Sequence, residues 1–259
     1  MGGTGLTIQT MRVRQKFIDG VTLDYVGSLD DHSLIVVVGR SNYKKSSKSL
    51  DSFLKDLHAA GHSICWFETR RIQTSKLLDD QFKNLRGSML CDFCNRHALI
   101  GRPLRKLIKV TLLLKQPERW DYFFDINGNK NQNLARSLSK LLRNLTATQV
   151  CLFSHSAGGI VSSLSESEKS VRKMVCFGYP FKHPEQDEDP VRTAHLERVS
   201  KPFLIIQGDE DEYGSAQDSK RYKLSSSIRV VPIQASHEYD NLSADEYQKI
   251  LALLNDFFS

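Results

Sequence analysis

The sequence predicts an α/β fold in which a mostly parallel β-sheet carries helices on both faces. Short apolar runs alternate with segments of helical periodicity, an order that favours a parallel sheet with right-handed crossovers. Leu34–Val38 is apolar throughout, as a strand buried on both faces should be. The 259 residues suit a single domain over residues 1–259, large enough to need no disulfide or metal for its core.

The first part of the chain predicts a hairpin, then strands and a helix. Asp19-Gly20 is a favourable two-residue turn for the opening hairpin. Apolar residues at helical spacing run from Leu50 to Leu57, and Gly61 ends that helix. The expected strands are Met11–Ile18, Val21–Val26, Leu34–Val38 and Ser63–Phe67.

The alternation resumes with an amphipathic helix over Leu134–Leu145. The last helix begins with a capping box of Ser243 and Glu246, which Leu242 and Tyr247 can support as a hydrophobic staple. The expected strands of this half are Val150–Phe153, Met174–Phe177, Phe203–Ile206 and Ile228–Ile233.

About sixty residues between Arg71 and Leu134 contain no clear strand, far more than a strand-to-helix connection needs. Apolar residues at helical spacing follow Pro103, which suits the first turn of a helix. We interpret approximately residues 75–128 as a helical cap insertion and predict that Pro103–Leu114 acts as a lid above the strand ends. A buried scaffold helix is the alternative.

The composition narrows the classes of partner and compartment. The formal net charge is +6, and the densest basic stretch, Arg102–Lys109, is interpreted as a solvated helix face because no nucleic-acid-binding motif accompanies it. No window reaches the roughly 18 apolar residues of a membrane span. Five cysteines without a signal peptide favour a reducing compartment. We therefore predict a soluble, cytoplasmic protein that binds no nucleic acid; the sequence leaves its oligomeric state open.

Cofactor signatures are weak. Cys91-Asp92-Phe93-Cys94 with His97 is a candidate metal corner, but a structural zinc site needs four ligands and no second pair follows. Neither standard glycine-rich phosphate loop is present. The sequence therefore predicts a protein without a metal or cofactor.

Val150–Gly159 places a serine where an apolar strand turns into a helix. The turn, Ser154-His155-Ser156-Ala157-Gly158, has small residues around Ser156, as a sharp nucleophile elbow requires. Ser154 occupies the position where the motif usually has glycine. We predict that Ser156 is the nucleophile.

A serine nucleophile needs a histidine base and a carboxylate that orients the histidine. Asp209-Glu210-Asp211 follows the strand at Phe203, and His237 follows the last strand, so each candidate lies beyond a strand's carboxyl end. His155 is the alternative base, although its position in the elbow should point it away from Ser156.

The oxyanion of an acyl-transfer intermediate needs two backbone N–H donors. Ala157, directly after the nucleophile, supplies one. The turn after Leu34–Val38 supplies the other, from either Gly39 or Arg40.

A set of segments in the second half of the chain is shared with a known family: Phe177-Gly178-Tyr179-Pro180-Phe181, Arg192, His195-Leu196, Pro202, Gln207-Gly208, Asp211 and Gly214. Through them the chain resembles one branch of the α/β-hydrolase superfamily, the predicted hydrolases related to dienelactone hydrolases and to testis-expressed hydrolase-like proteins. The resemblance implies Ser156 as nucleophile, Asp211 as acid and His237 as base. In that branch the acid follows its glycine by three positions, whereas Asp209 suits a turn residue. The chain differs in having Ser154 for glycine and a longer insertion.

Together these patterns predict a serine hydrolase that cleaves a small-molecule ester, thioester or amide through an acyl-enzyme on Ser156, most simply a carboxylic ester. The alternative is a non-catalytic interaction module that keeps the hydrolase fold but has lost an aligned triad. The ordered trio of Ser156, Asp211 and His237 favours the enzyme.

Overall fold

The structure is a computed structural model that describes residues 12–39, 47–85, 88–120, 122 and 129–259. Two predictions fall outside these ranges: the start of the first strand at Met11 and the oxyanion candidate Arg40. The chain divides into a sheet unit, up to Phe67 and from Lys130 onward, and a helical unit, Glu68–Asn129.

The sheet unit is built on one sheet of eight strands, counted over the described residues. The strands are β1 (Arg14–Ile18), β2 (Val21–Val26), β3 (Ser33–Val38), β4 (Ser63–Trp66), β5 (Gln149–His155), β6 (Val171–Phe177), β7 (Phe203–Gly208) and β8 (Ile228–Ile233). Their spatial order is β1-β2-β4-β3-β5-β6-β7-β8. The six strands from β4 to β8 in this order are parallel, and the β1–β2 hairpin is antiparallel at one edge.

Helices cover both faces of the sheet because alternate side chains of its strands are apolar on each side. The α-helices of the described ranges are α1 (Lys48–Ala59), α2 (Arg70–Asn84), α3 (Ser88–Arg96), α4 (Ala98–Leu114), α5 (Lys130–Asn144), α6 (Ala157–Leu164) and α7 (Ala244–Phe258). One core contains Leu138 of α5 and Ile160 of α6, and the other contains Phe53 of α1 and Leu254 of α7. Each fully buried aliphatic side chain contributes about 1.5–3 kcal/mol.

The predicted α/β fold, with its parallel sheet covered on both faces, is confirmed, and the differences lie at the ends of elements. β5 extends through Ser154, which pairs with Val38 and with Cys176. Side chains become polar at this point while the backbone ladder continues. A prediction based on apolar side chains alone therefore places the end of this strand too early.

The last helix begins as predicted, because the Ser243 hydroxyl accepts a hydrogen bond of 3.2 Å from the Glu246 N–H. The Glu246 carboxylate forms an ion pair with Lys249. Tyr247 stacks on Phe53 of α1, with ring centroids 4.3 Å apart. The cap and this ring contact together fix α7 against α1.

The helical unit consists of α2, α3 and α4, and no strand occurs among its described residues. Gly101 lets α4 approach α3, since a Cβ at this position would clash with the backbone of Cys94. Asp79 of α2 forms ion pairs with Arg105 and Lys109 of α4. Burial alone would raise the pKa of Asp79, but these two cations hold it below its ordinary value. Whether approximately residues 75–128 act as a cap stays a prediction.

The prediction that Pro103 lies in the first turn of its helix is wrong. α4 begins at Ala98, and Pro103 lies inside it. Pro103 has no N–H to donate to the carbonyl of Leu99. Because Leu99 is exposed, water can donate a hydrogen bond to that carbonyl instead. None of the described helices is both long enough and apolar enough to cross a bilayer.

Candidate active site

Ser156 lies at the junction of β5 and α6 with φ +54° and ψ −129°. Two backbone hydrogen bonds fix this turn: the Ser156 N–H donates to Phe177 O (2.9 Å), and the Gly159 N–H donates to Ser156 O (2.8 Å). A side chain at positive φ costs about 1–3 kcal/mol, so the surrounding structure must hold it there. Such strain is typical of a functional position.

The small residues of the elbow are required by close backbone approaches. A Cβ at Gly158 would clash with Val38 O, and a Cβ at Gly159 would clash with the Cys176 sulfur. Larger residues would therefore push α6 off the sheet. Ser154, which stands where glycine is usual, fits because its hydroxyl is buried and donates to Val175 O at 2.8 Å.

His237 follows β8 and contacts Ser156 directly. The distance between His237 Nε2 and Ser156 Oγ is 2.9 Å, and His237 Nδ1 lies 2.9 Å from each carboxylate oxygen of Asp211. With the imidazole proton on Nδ1, the ring donates to Asp211 and accepts from the serine hydroxyl. The structure thus brings together the three residues that the sequence analysis singled out.

Asp211 is buried and firmly held. Its Oδ1 accepts from the Tyr213 N–H (2.8 Å), and its Oδ2 accepts from Gln207 Nε2 (3.0 Å). Asp209, in contrast, is exposed, and its N–H donates to Ile233 O as part of the turn. Of the two aspartates in this loop, Asp211 is the one next to the histidine.

Gln207 and Gly178 also belong to the site, although the catalytic pattern in the sequence predicts no role for either of them. The Gln207 amide also accepts from the Tyr179 N–H at 2.8 Å, so it links the β6 and β7 loops. A Cβ at Gly178 (φ +60°) would lie 3.0 Å from both Asp211 Oδ2 and His237 Nδ1. The sequence offers one signal for Gln207: it is a polar residue at the end of the apolar run Phe203–Ile206, where a strand reaches the site.

His155, the alternative base, is turned away from the serine hydroxyl. Its Nε2 lies 2.9 Å from the backbone oxygen of His237, to which it donates when protonated there. The two imidazole rings are 5.0 Å apart. His155 therefore positions the backbone of His237.

Two predicted oxyanion donors lie beside Ser156. Ala157 is the first residue of α6, so its N–H has no acceptor within the helix. Gly39 (φ +93°) touches the elbow, since a Cβ there would come within 2.8 Å of His155 O. Arg40, the third candidate, lies outside the described residues.

An open cleft of about 580 Å³ surrounds the serine. Glu212 and Glu238 line it as exposed carboxylates, and the half-buried Arg192 adds one cation. Its other lining residues are Gly39, His155, Ser156, Ala157, Pro180, Tyr213 and His237. The cleft is thus polar at its rim.

The candidate metal corner lies partly outside the described residues, because the side chain of Cys91 is not among them; the described side chains contain no cluster of three or more potential metal ligands. Cys94 is buried, and the His97 ring packs on Phe93. Burial raises the pKa of the Cys176 thiol to about 12, so the cysteine nearest the elbow stays protonated.

Comparison with known proteins bears on the fold of the chain. Residues 127–254 match the model of a family described as an alpha/beta hydrolase domain. No curated protein sequence matches the chain significantly.

Among solved structures, an esterase from Pyrococcus furiosus superposes with a TM-score of 0.56 at 11% identity, covering 100% of this chain and 98% of that one. The esterase domain of a Rhodothermus marinus protein gives 0.54 at 12% identity, covering 95% and 97%. The thioesterase domain from the curacin biosynthetic pathway gives 0.53 at 10% identity, covering 95% and 99%.

Proposed function

We propose that the chain, which has the α/β-hydrolase fold, belongs to the α/β-hydrolase superfamily and is a serine hydrolase that cleaves an ester, thioester or amide through an acyl-enzyme on Ser156. The observation that carries the proposal is the hydrogen-bonded series Ser156–His237–Asp211 at a strained elbow. Carboxylic esters are the preferred substrate class.

In the proposed reaction, Ser156 Oγ attacks the acyl carbon while His237 Nε2 takes its proton. The tetrahedral intermediate then collapses, and His237 passes this proton to the departing alcohol, thiol or amine. Water attacks the acyl-enzyme, gives a proton to His237, and releases the acid as the C–Oγ bond breaks. Ser156 regains its proton from His237, so water is the only co-reactant.

Charge stabilisation in this scheme comes from backbone donors and from Asp211. The N–H groups of Ala157 and Gly39 are proposed to hold the oxyanion, at a helix N-terminus that already favours negative charge. The buried Asp211 carboxylate stabilises the imidazolium that forms on His237. No metal or cofactor takes part in the proposed steps.

Two finer assignments rest on the sequence. We place the chain in the branch of predicted hydrolases related to dienelactone hydrolases and to testis-expressed hydrolase-like proteins. We also propose a cytoplasmic location, which is consistent with the unpaired state of the described cysteines Cys65, Cys94, Cys151 and Cys176.

The competing function is an interaction module without catalysis. It is disfavoured because such a module has no reason to keep a strained serine within 2.9 Å of an imidazole that a buried carboxylate orients.

Labelling with a fluorophosphonate probe separates the two functions, because the probe reports an activated serine. The wild-type protein should be labelled, with the adduct mapped to the peptide that contains Ser156, and Ser156→Ala should abolish labelling while staying folded. Ser236→Ala is the matched control, since Ser236 is an exposed serine next to His237. A folded wild-type protein that stays unlabelled and hydrolyses no p-nitrophenyl ester would support the interaction module.

A further inference from the structure

The outer face of α4 carries apolar side chains that the protein leaves in water. Leu99 is 94% exposed and Leu107 is 64% exposed. Of the ten large hydrophobic residues that are exposed in the described chain, eight belong to the helical unit. A continuous exposed apolar surface on a folded protein commonly marks an interaction site.

These side chains form one stripe. Residues separated by three or four positions share a face of a helix, and the exposed residues of α4 follow this spacing. The opposite face packs inward through Gly101 and through the ion pairs of Arg105 and Lys109 with Asp79. We name the outer stripe the α4 ridge, and it consists of Leu99, Ile100, Pro103, Leu107, Val110 and Leu114.

Positive charge lies along one side of the α4 ridge and at its end. Arg102 and Lys106 are exposed along one side of it, and Lys115 is exposed just beyond its end. The α4 sequence contains no acidic residue. Residues 68–129 contain twelve Lys and Arg against seven Asp and Glu, so this unit holds +5 of the chain's formal net charge of +6.

We propose that the α4 ridge binds an anionic lipid surface, with α4 lying in the plane of the interface. A helix with an apolar face and basic flanks inserts its apolar side chains at the boundary of headgroups and acyl chains, while lysine and arginine reach the anionic headgroups. The attachment is peripheral and involves no span of the bilayer. It does not depend on the chemistry at Ser156.

Other occupants fit these observations less well. Two copies packed through the same ridge would bring their basic flanks together, which costs electrostatic free energy. A nucleic acid would use the cations but leave the apolar side chains without a partner. A lipid surface is the partner that satisfies both features.

Cosedimentation with vesicles tests the proposal, using Ser156→Ala so that no lipid is hydrolysed. Binding to phosphatidylcholine vesicles that contain phosphatidylserine should be at least about tenfold stronger than binding to phosphatidylcholine alone, and should weaken as salt is raised. Absence of binding to the anionic vesicles would overturn the proposal, as would equal binding to both compositions.

Matched variants then locate the surface. Leu99→Gln with Leu107→Gln should weaken vesicle binding at least about tenfold, because two inserted side chains are lost. Phe17→Gln, at a residue 70% exposed on β1, should leave binding unchanged. Lys106→Gln should weaken it about fivefold, and Lys223→Gln, at an exposed lysine of the sheet unit, should not.

Far-UV circular dichroism must show the same helix content in every variant. Lys106→Gln is an independent test of vesicle binding, because it removes a charge and no apolar side chain. Equal losses in the α4 variants and in their sheet-unit controls would overturn the proposal. The wild-type protein could instead form a dimer and fail to bind anionic vesicles. If the double variant Leu99→Gln with Leu107→Gln then abolished the dimer, the α4 ridge would bind a second copy of the chain and the proposal would be wrong.

Discussion

The sheet unit and the helical unit differ in where they put their apolar side chains. In the sheet unit, strands such as β3 and β7 are buried on both faces, and the covering helices turn their apolar faces inward. Among the described side chains of the helical unit, only a few, such as Leu78, Phe82 and Leu113, are fully buried, while the α4 ridge faces outward. The sheet unit is thus organised around its own core, and the helical unit presents apolar surface to a partner.

The two units meet different physical demands. A catalytic constellation needs side chains fixed within fractions of an ångström, and a sheet packed on both faces provides such rigidity. A surface that binds a lipid interface needs only a stable helix with the right residues outside.

If the chemistry belongs to the sheet unit, Asp211→Asn should lower kcat/KM about 10³- to 10⁴-fold, because an amide holds the imidazole in the wrong tautomer and stabilises no imidazolium. Asp209→Asn, in the same loop, should change it little, as should Asp79→Asn in the helical unit. Ester hydrolysis or the rate of fluorophosphonate labelling measures the effect. A larger loss at Asp209 than at Asp211 would reverse the assignment of the acid.

Because the two units differ in how deeply they bury leucine side chains, a Leu→Ala substitution should lower the free energy of unfolding by different amounts in each. Leu204→Ala, at a fully buried residue of β7, should lower the free energy of unfolding by about 2–5 kcal/mol through lost burial and a residual cavity. Leu107→Ala on the α4 ridge should change it by less than about 0.5 kcal/mol. Urea unfolding measures both. Similar costs at the two sites would mean that the α4 ridge is covered in solution, and the contrast between the units would then fail.

The smallest expected effect concerns the strain at Ser156. Ser156→Gly should be more stable than Ser156→Ala by about 1 kcal/mol, because glycine accepts the positive φ and this gain exceeds its entropic cost. Ser167 is exposed and is not among the residues at positive φ, so the order should reverse there, with alanine the more stable. Thermal unfolding of the four variants gives both differences. If alanine were also the more stable residue at position 156, the elbow would store no strain.

Much of the fold could be predicted from local pattern. Strands such as β8, at Ile228–Ile233, are predicted to the residue, because a half-buried strand favours β-branched side chains such as Val230 and Val231 in the sequence itself. The triad candidates could be named for a similar reason: parallel strands bring the loops at their carboxyl ends to one edge. The start of α4 was misplaced at Pro103, because a local preference for a first-turn proline did not decide where that helix begins.

The layered α/β architecture and the order of Ser156, the acidic loop and His237 can be read from the sequence, since both follow from periodicity and from the ends of strands. The contacts between these residues depend on the packing of the folded chain. This packing brought Asp211 to His237 in place of Asp209, and added Gln207 and Gly178 around them. These are distances between residues far apart in the chain, set by how strands and helices pack, and no local pattern of residues encodes them.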